Sequence, residues 1–234
     1  MDRDREPTSL AKALSLYSAY GWRGRIGLVS PSTNTTLEPE FWRLAPEGVS
    51  IHTARVYQSG PQEPSTYRRM ADDIATAATL LATAEVDVIA FGCTSCTYFV
   101  PPEEIRATMA EKAGCPTVLT ADAVVDALRS LNVKRVALAS PRTQFVTDRE
   151  LKFLAQSGFE VVASRSLGMG ATEEAVFVTC TQLPTLSMIA RLEAEFGKPV
   201  VTSNQATVWR CLRHLGYTTP VKGYGRLLDP QAAA

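Results

Sequence analysis

The chain has 234 residues, of which 45% are hydrophobic, and its 24 basic and 24 acidic residues leave no formal net charge. A chain of this length can bury one large core or two small cores that are closely packed together. Because the charge is balanced and no basic stripe is present, we expect no nucleic-acid partner. No apolar run approaches the ~18 to 20 residues that a bilayer span requires, so we expect no membrane partner.

The cysteines predict a reducing compartment and no metal site. There are five of them, an odd number, and the first seven residues are charged rather than hydrophobic. Free thiols and a cytoplasmic location are therefore the expectation. Cys93 and Cys96 are separated by two residues, but the chain has no second such pair and only two histidines, so a zinc site is not expected.

Hydrophobic periodicity predicts helices and strands that alternate along the chain. Residues 1–21 are expected to be an N-terminal extension, either an appended helix or a loose tail. Alternating elements of this kind are typical of a parallel sheet with helices on both faces. The predicted strands are 25–30, 49–56, 86–91, 117–119, 135–140, 160–166, 175–179 and 199–202, and the predicted helices are one that runs into 41–44 and those at 67–84, 103–112, 121–131, 144–157, 186–196 and 205–215.

A polar turn, residues 30–36, follows the first predicted strand. Thr35 or Thr36 is expected to cap the helix that comes next. Free backbone amides and hydroxyl groups at the carboxyl end of a strand suit an anion. This turn is therefore a candidate binding site.

The sequence contains an internal repeat whose second copy is shorter. Residues 25–31 (RIGLVSP) and 135–141 (RVALASP) are near copies, and each copy is followed by a strand that ends in Cys-Thr. Cys93 comes 68 positions after the start of the first copy, and Cys180 comes 45 positions after the start of the second. Only residues 167–174 join two predicted strands, whereas a parallel crossover usually needs a dozen residues or more. Either a crossover helix has been lost, or the sequence is not a complete protein, or these strands are not parallel neighbours.

Cys93 and Cys180 are the candidate reactive groups, because each ends a strand within the repeat. We expect the two thiols to face each other. Unpaired backbone amides at the ends of such strands should lower the pKa of a thiol. Cys96 is expected to be structural, and Cys115 and Cys211 to be packing residues, because cysteine is often buried.

Four segments together resemble the aspartate/glutamate racemase superfamily, and most closely its maleate cis-trans isomerase and arylmalonate decarboxylase branch. They are residues 27–38 (GLVSPSTNTTLE), 91–95 (FGCTS), 180–185 (CTQLPT) and 202–209 (TSNQATVW). The resemblance implies two pseudo-symmetric three-layer α/β/α half-domains, each with a parallel four-stranded sheet, and an active site in the cleft between them. The implied first half-domain spans 22–118 and is completed by a C-terminal helix at 204–216. The implied second half-domain spans 119–203 and is shortened between 167 and 174. Residues 217–234 would form a tail.

The resemblance also implies a reaction without a cofactor. Enzymes with both cysteines are racemases or isomerases, so the implied activity is isomerisation of a small dicarboxylate, most closely maleate to fumarate. Cys93 would add to the alkene and Cys180 would act as general acid and base. Arg142 occupies a position where many relatives have tyrosine, and it could clamp a carboxylate. The neutral residues expected to hold the two carboxylates are Ser32, Asn34, Thr94, Ser95 and Thr181.

Other functions stay open at this point. A racemase of an amino acid or hydantoin would use the two thiols to exchange a proton, and an arylmalonate-type decarboxylase would act on a substituted malonate. A non-catalytic small-molecule binding protein on the same fold is favoured by the shortened second half. Relatives also suggest a homodimer or a higher homo-oligomer.

Overall fold

A computed structural model of the protein describes residues 20–164 and 173–231. The predicted N-terminal extension therefore lies almost entirely outside the described residues. The strands are β1 Gly24–Pro31, β2 Val49–Val56, β3 Val88–Phe91, β4 Thr117–Leu119, β5 Arg135–Ala139, β6 Glu160–Ser164, β7 Ala175–Val178 and β8 Val200–Thr202. The α-helices are α1 Leu37–Leu44, α2 Pro64–Asp72, α3 Ile74–Ala82, α4 Pro102–Ala113, α5 Thr120–Ser130, α6 Gln144–Gln156, α7 Leu186–Phe196 and α8 Ser203–His214, and a short 3-10 helix spans Ser95–Tyr98.

The strands form two parallel sheets with the same order, as predicted. The first sheet has the order β2-β1-β3-β4 and the second β6-β5-β7-β8. Every residue of β3 and of β7 is buried. Continuous burial of this kind is typical of a strand that is covered by helices on both faces of a parallel sheet. The two cysteine loops thus begin at inner strands, where neighbouring elements can surround them.

The two strands joined by the short connection before β7 lie on opposite sides of β5. Both β6 and β7 pair with β5, on its two sides, and not with each other. The two strands are therefore not neighbours in the sheet, in agreement with one of the three alternatives. In the first sheet the matching connection, between β2 and β3, contains α2 and α3. Residues 165–172, which belong to the shorter connection, lie outside the described residues.

Two details of the predicted helices are wrong. The helix expected at 67–84 is divided into α2 and α3 at Asp73, whose carboxylate accepts a hydrogen bond from the Tyr57 amide at 3.1 Å. Thr36 occupies the N-cap position of α1, but its side chain caps no amide. The Oδ1 of Asn34 instead accepts hydrogen bonds from the amides of Thr36 at 3.0 Å and Leu37 at 2.9 Å. The side chain of Asn34 is therefore fixed by the helix that it begins.

The C-terminal part of the chain connects the two halves. Helix α8 follows β8 of the second sheet, yet its Asn204 Nδ2 donates to Glu40 Oε2 of α1, in the first half, at 2.7 Å. Leu227 and Leu228 are 4% and 6% exposed and belong to the largest hydrophobic cluster. The prediction of a surface tail is therefore wrong for Leu227 and Leu228. No helix in the described part of the chain is long and apolar enough to cross a membrane.

Candidate active site

Loops at the carboxyl ends of the inner strands meet between the two sheets. Thr181, which follows β7, donates from Oγ1 to the carbonyl oxygen of Gly92, which follows β3, at 3.0 Å. Asn34, which follows β1, donates from Nδ2 to Thr181 Oγ1, also at 3.0 Å. In parallel sheets such strand ends are the usual place for a ligand. The polar residues predicted on both halves therefore lie in one continuous network.

Cys93 lies at the end of β3 and is 3% exposed. The glycine before it is required, because a Cβ at Gly92 would overlap the side chain of Leu37. Burial raises the pKa of the Cys93 thiol, and nearby Cys180 raises it further, whereas Arg142 and the backbone amides of Cys96 and Ser95 lower it. The prediction of a lowered thiol pKa is wrong for Cys93, because loss of water outweighs the hydrogen bonds from the amides.

Cys180 has an unusual backbone conformation. Its φ angle is +93°, in a region that residues other than glycine rarely adopt, and its exposure is 6%. Its amide donates to Ser203 Oγ at 3.1 Å, and Ser203 Oγ also pairs with Thr94 Oγ1 at 3.3 Å. Strained backbone of this kind costs ~1–3 kcal/mol and persists only where the surroundings hold it. The hydroxyl of Ser203 therefore joins the Cys180 backbone to the residue after Cys93.

Arg142 is the positive charge of the site. Its Nε is buried and has no hydrogen-bond partner within the described part of the chain. Burial lowers the pKa of its guanidinium, but the groups that face it raise that pKa by more, so the net direction is upward. These facing groups are, in order of effect, Cys180, Cys93, Tyr67 and Glu150. A half-buried guanidinium with one unpaired buried nitrogen beside two thiols is suited to bind an anion.

Beside Arg142 lies Glu150, a buried carboxyl group on α6. Tyr98 donates from its hydroxyl to Glu150 Oε1 at 3.1 Å, and Ser140 Oγ donates to Oε2 at 3.3 Å. Burial raises the pKa of Glu150, while its hydrogen bonds and Arg142 lower it. Tyr98 belongs to the segment after Cys93 and Glu150 to the second half, so this pair also joins the two halves.

Tyr67 is a site residue that the sequence reading missed. The side chain is 1% exposed and its ring stacks on Phe99 with the centroids 4.6 Å apart. Burial and the neighbouring Cys93 sulfur raise its pKa to about 12, whereas Arg142 and the Ser95 hydroxyl lower it. Its hydroxyl nevertheless makes no hydrogen bond of standard geometry within the described residues. A buried hydroxyl in this position needs an explanation, and a bound substrate would supply one.

The structure brings most of the predicted site residues together. Asn34, Thr94, Ser95, Thr181 and Arg142 lie in the network that surrounds Cys93 and Cys180. Ser32 differs, because its Oγ donates to the Gln58 carbonyl at 3.4 Å and accepts from the Gln58 amide at 2.9 Å. Among residues 20–164 and 173–231 no cluster of three or more His, Cys, Asp or Glu side chains could hold a metal ion.

Comparison with known proteins identifies the family. The family model described as arylmalonate decarboxylase matches residues 26–174 and 169–228. The chain belongs to the arylmalonate decarboxylase family. This confirms the branch that the four sequence segments predicted.

Within this arylmalonate decarboxylase family the chain is similar to maleate isomerases. It is 25% identical to the maleate isomerase of Geobacillus stearothermophilus, over 88% of this chain and 97% of that protein. The crystal structure of a maleate isomerase from Pseudomonas putida S16 superimposes with a TM-score of 0.80 at 27% identity, covering 88% of this chain and 98% of that one. These similarities confirm the fold of two half-domains with parallel four-stranded sheets.

A third similar structure shows a reaction intermediate in a relative. It is a cysteine-to-serine variant of the Nocardia farcinica maleate cis-trans isomerase with a covalently bound succinylcysteine intermediate. The TM-score is 0.80 at 25% identity, and the match covers 88% of this chain and 98% of that one. Covalent cysteine chemistry is thus present in this group of family members.

Proposed function

We propose that the protein is a cofactor-independent isomerase that converts maleate to fumarate through a covalent adduct on Cys93. The observation that carries this proposal is the meeting of two strand-end cysteines, one from each half, beside Arg142, whose buried Nε has no hydrogen-bond partner among the described residues. Two thiols and one cation match a reaction that needs a nucleophile, a proton carrier and a carboxylate ligand.

In the proposed reaction, the Cys93 thiolate forms a bond to one alkene carbon of maleate. The π electrons move to the neighbouring carbon, which takes a proton from the Cys180 thiol. The central bond of the resulting succinyl thioether is single and can rotate. The Cys180 thiolate then removes the proton, the alkene forms again in the trans geometry, and the carbon–sulfur bond breaks to release fumarate and the Cys93 thiolate.

Arg142 is proposed to have two effects. Its guanidinium can bind one substrate carboxylate with two parallel hydrogen bonds. It also lowers the pKa of Cys93, which burial raises, so it favours the thiolate that attacks the substrate. The amides of Ser95 and Cys96 act on the same sulfur.

Neutral donors are proposed to bind the second carboxylate. Asn34 uses its Oδ1 for two backbone amides and one Nδ2 hydrogen for Thr181, which leaves the other Nδ2 hydrogen for the substrate. Thr94, Ser95 and the free phenol of Tyr67 complete the proposed set. Ser32 is proposed to act through Gln58, whose backbone it holds. We further propose a cytoplasmic enzyme that assembles as a homodimer.

The experiment that tests this function follows the conversion of maleate to fumarate by proton NMR. The wild-type protein is expected to isomerise maleate without any added metal or cofactor, and Cys93→Ser is expected to lose turnover. Cys180→Ser is expected to lose turnover and to retain the adduct on Cys93. Cys115→Ser is the matched control, because Cys115 is half-buried and lies outside the proposed set of substrate-binding and catalytic residues.

The alternatives give different results in the same assay. An arylmalonate decarboxylase would release CO₂ from phenylmalonate, and a racemase would interconvert the enantiomers of an amino acid or hydantoin. A binding protein would bind maleate without converting it. Turnover of maleate by Cys93→Ser would refute the assignment of the nucleophile.

A further inference from the structure

Glu40 is a buried carboxylate of α1 that reaches from the first half of the protein into the second. It is 5% exposed. Its Oε1 accepts hydrogen bonds from the backbone amides of Thr185 at 2.7 Å and Leu186 at 3.1 Å, where α7 begins. Its Oε2 accepts a hydrogen bond from Asn204 Nδ2 at 2.7 Å. All of these donors belong to the second half or to α8.

The carboxylate of Glu40 is held by hydrogen-bond donors and not by a basic side chain. No ion pair of Glu40 is found among the described residues, whereas Glu38 on the same helix pairs with Arg55 at 3.0 Å. The first turn of α7 supplies unpaired amides and a partial positive charge. Because burial of a carboxylate without a cation is costly, the contacts of Glu40 need a specific reason.

These contacts fix both ends of the Cys180 loop, which we define as residues 180–186. At one end Glu40 binds the amides of Thr185 and Leu186. At the other end Asn204 uses Nδ2 for a second hydrogen bond, to the carbonyl oxygen of Thr181 at 3.1 Å. Thr181 is the neighbour of Cys180, whose φ angle of +93° has to be maintained by its surroundings.

We propose that Glu40 is a positioning residue that holds the Cys180 loop against the first half of the protein. It acts through Asn204 and the start of α7, and it does not touch the substrate. This inference rests on the proposed isomerase function, in which Cys180 moves the protons. Cys93 follows β3 of the same half as Glu40, so its position should depend less on these hydrogen bonds than that of Cys180, although Thr181 does donate to the Gly92 carbonyl oxygen.

The proposal predicts that the two cysteines respond differently when Glu40 is changed. Formation of the carbon–sulfur bond by Cys93 should continue. Removal of the proton from the succinyl thioether should become slow, because it depends on the placement of Cys180. Displacement of a reacting group by ~1 Å can cost on the order of 10²-fold in rate. The thioether on Cys93 should therefore accumulate.

The test is Glu40→Gln, which keeps the size of the side chain. The NH₂ group of the new glutamine is a hydrogen-bond donor. It must face either the backbone N–H groups of Thr185 and Leu186 or the Nδ2 of Asn204, and these are donors as well. We expect kcat for maleate to fall about 10- to 100-fold without a rise in KM. After mixing with maleate and quenching in acid, intact-protein mass spectrometry should show most of the variant with one added maleate. Peptide mapping should place it on Cys93, whereas the wild type should carry little adduct.

Two further variants control for charge and for folding. Glu38→Gln removes an acidic group from the same helix and should retain wild-type kcat without adduct. Asn204→Ala breaks the link to Thr181 while the α7 amides keep their bonds to Glu40, and it should also accumulate the adduct. If circular dichroism shows that Glu40→Gln does not fold, Asn204→Ala tests the positioning role in its place.

The outcomes separate this inference from the proposed function. A folded Glu40→Gln protein with wild-type kcat, or one that loses activity and stability without adduct on Cys93, overturns the positioning role. A wild-type protein that does not convert maleate refutes the proposed function and removes the basis of the inference. Adduct on Cys93 in both Glu40→Gln and Asn204→Ala supports it.

Discussion

Replacing Tyr67 by Phe should stabilise the free protein and impair the enzyme, an unusual combination. The hydroxyl of Tyr67 is buried and has no hydrogen-bond partner within the described residues. An unsatisfied buried hydroxyl costs ~1–3 kcal/mol, so its removal should return part of that free energy of unfolding. For a chain of this size each kcal/mol changes the Tm by about 2–4 °C. We therefore expect a Tm that is equal to or a few degrees above that of the wild type.

The effect on activity should have the opposite sign. If the Tyr67 phenol donates to a substrate carboxylate, its loss should cost ~1.5–3 kcal/mol, which corresponds to about 10- to 150-fold in kcat/KM for maleate. Thermal unfolding and NMR-monitored isomerisation measure the two effects on the same protein. Tyr98→Phe is the matched control, because its hydroxyl donates to Glu150 at 3.1 Å and its loss should lower the Tm. A lower Tm for Tyr67→Phe, or unchanged kcat/KM, would refute the reasoning.

Three other changes test separate contacts. Gly92→Ala should lose ~1–3 kcal/mol of free energy of unfolding in chemical denaturation, because the added Cβ overlaps the Leu37 side chain. Wild-type stability of this variant would contradict the close contact between Gly92 and Leu37. Arg142→Gln should raise KM for maleate about 10-fold or more. It should also move the pH dependence of Cys93 alkylation to higher pH, because Arg142 lowers the pKa of the Cys93 thiol. An unchanged pH profile would contradict this role of Arg142. Glu150→Gln tests the raised pKa of the Glu150 carboxyl group. The stability of the wild type relative to the variant should fall as the pH rises from the ordinary pKa of 4.5 through the raised pKa. Stability curves that stay parallel over this pH range would contradict this.

The sequence was informative where a property depends on neighbouring residues. The apolar runs before Cys93 and Cys180 predicted two strands, and the repeated RxxxxSP segments predicted two related halves. Arg142 could be proposed because it follows one of these segments directly. The short connection before β7 was harder to interpret, since strand order is set by pairing between distant segments.

Other features depend on contacts between distant segments and could not be read from the sequence. Tyr67 lies in an ordinary amphipathic helix, and nothing local shows that its hydroxyl meets Cys93 and Arg142. The sequence around Glu40 is like that around any acidic residue on a helix, so it does not show that the carboxylate is buried. The pKa of Cys93 was predicted in the wrong direction, because backbone amides are visible in the sequence whereas the extent of burial is not.

The position of α8 has a consequence for synthesis of the protein. This helix is made near the end of translation, yet it contacts α5 through the hydrogen bond between Thr207 and Thr120, which is made 87 residues earlier. Its Asn204 also holds Glu40 of α1. The amino-terminal half therefore lacks a structural neighbour until the carboxyl end leaves the ribosome. A nascent chain that stalls before Ser203 would expose apolar surface on α5 and would be a natural client for chaperones.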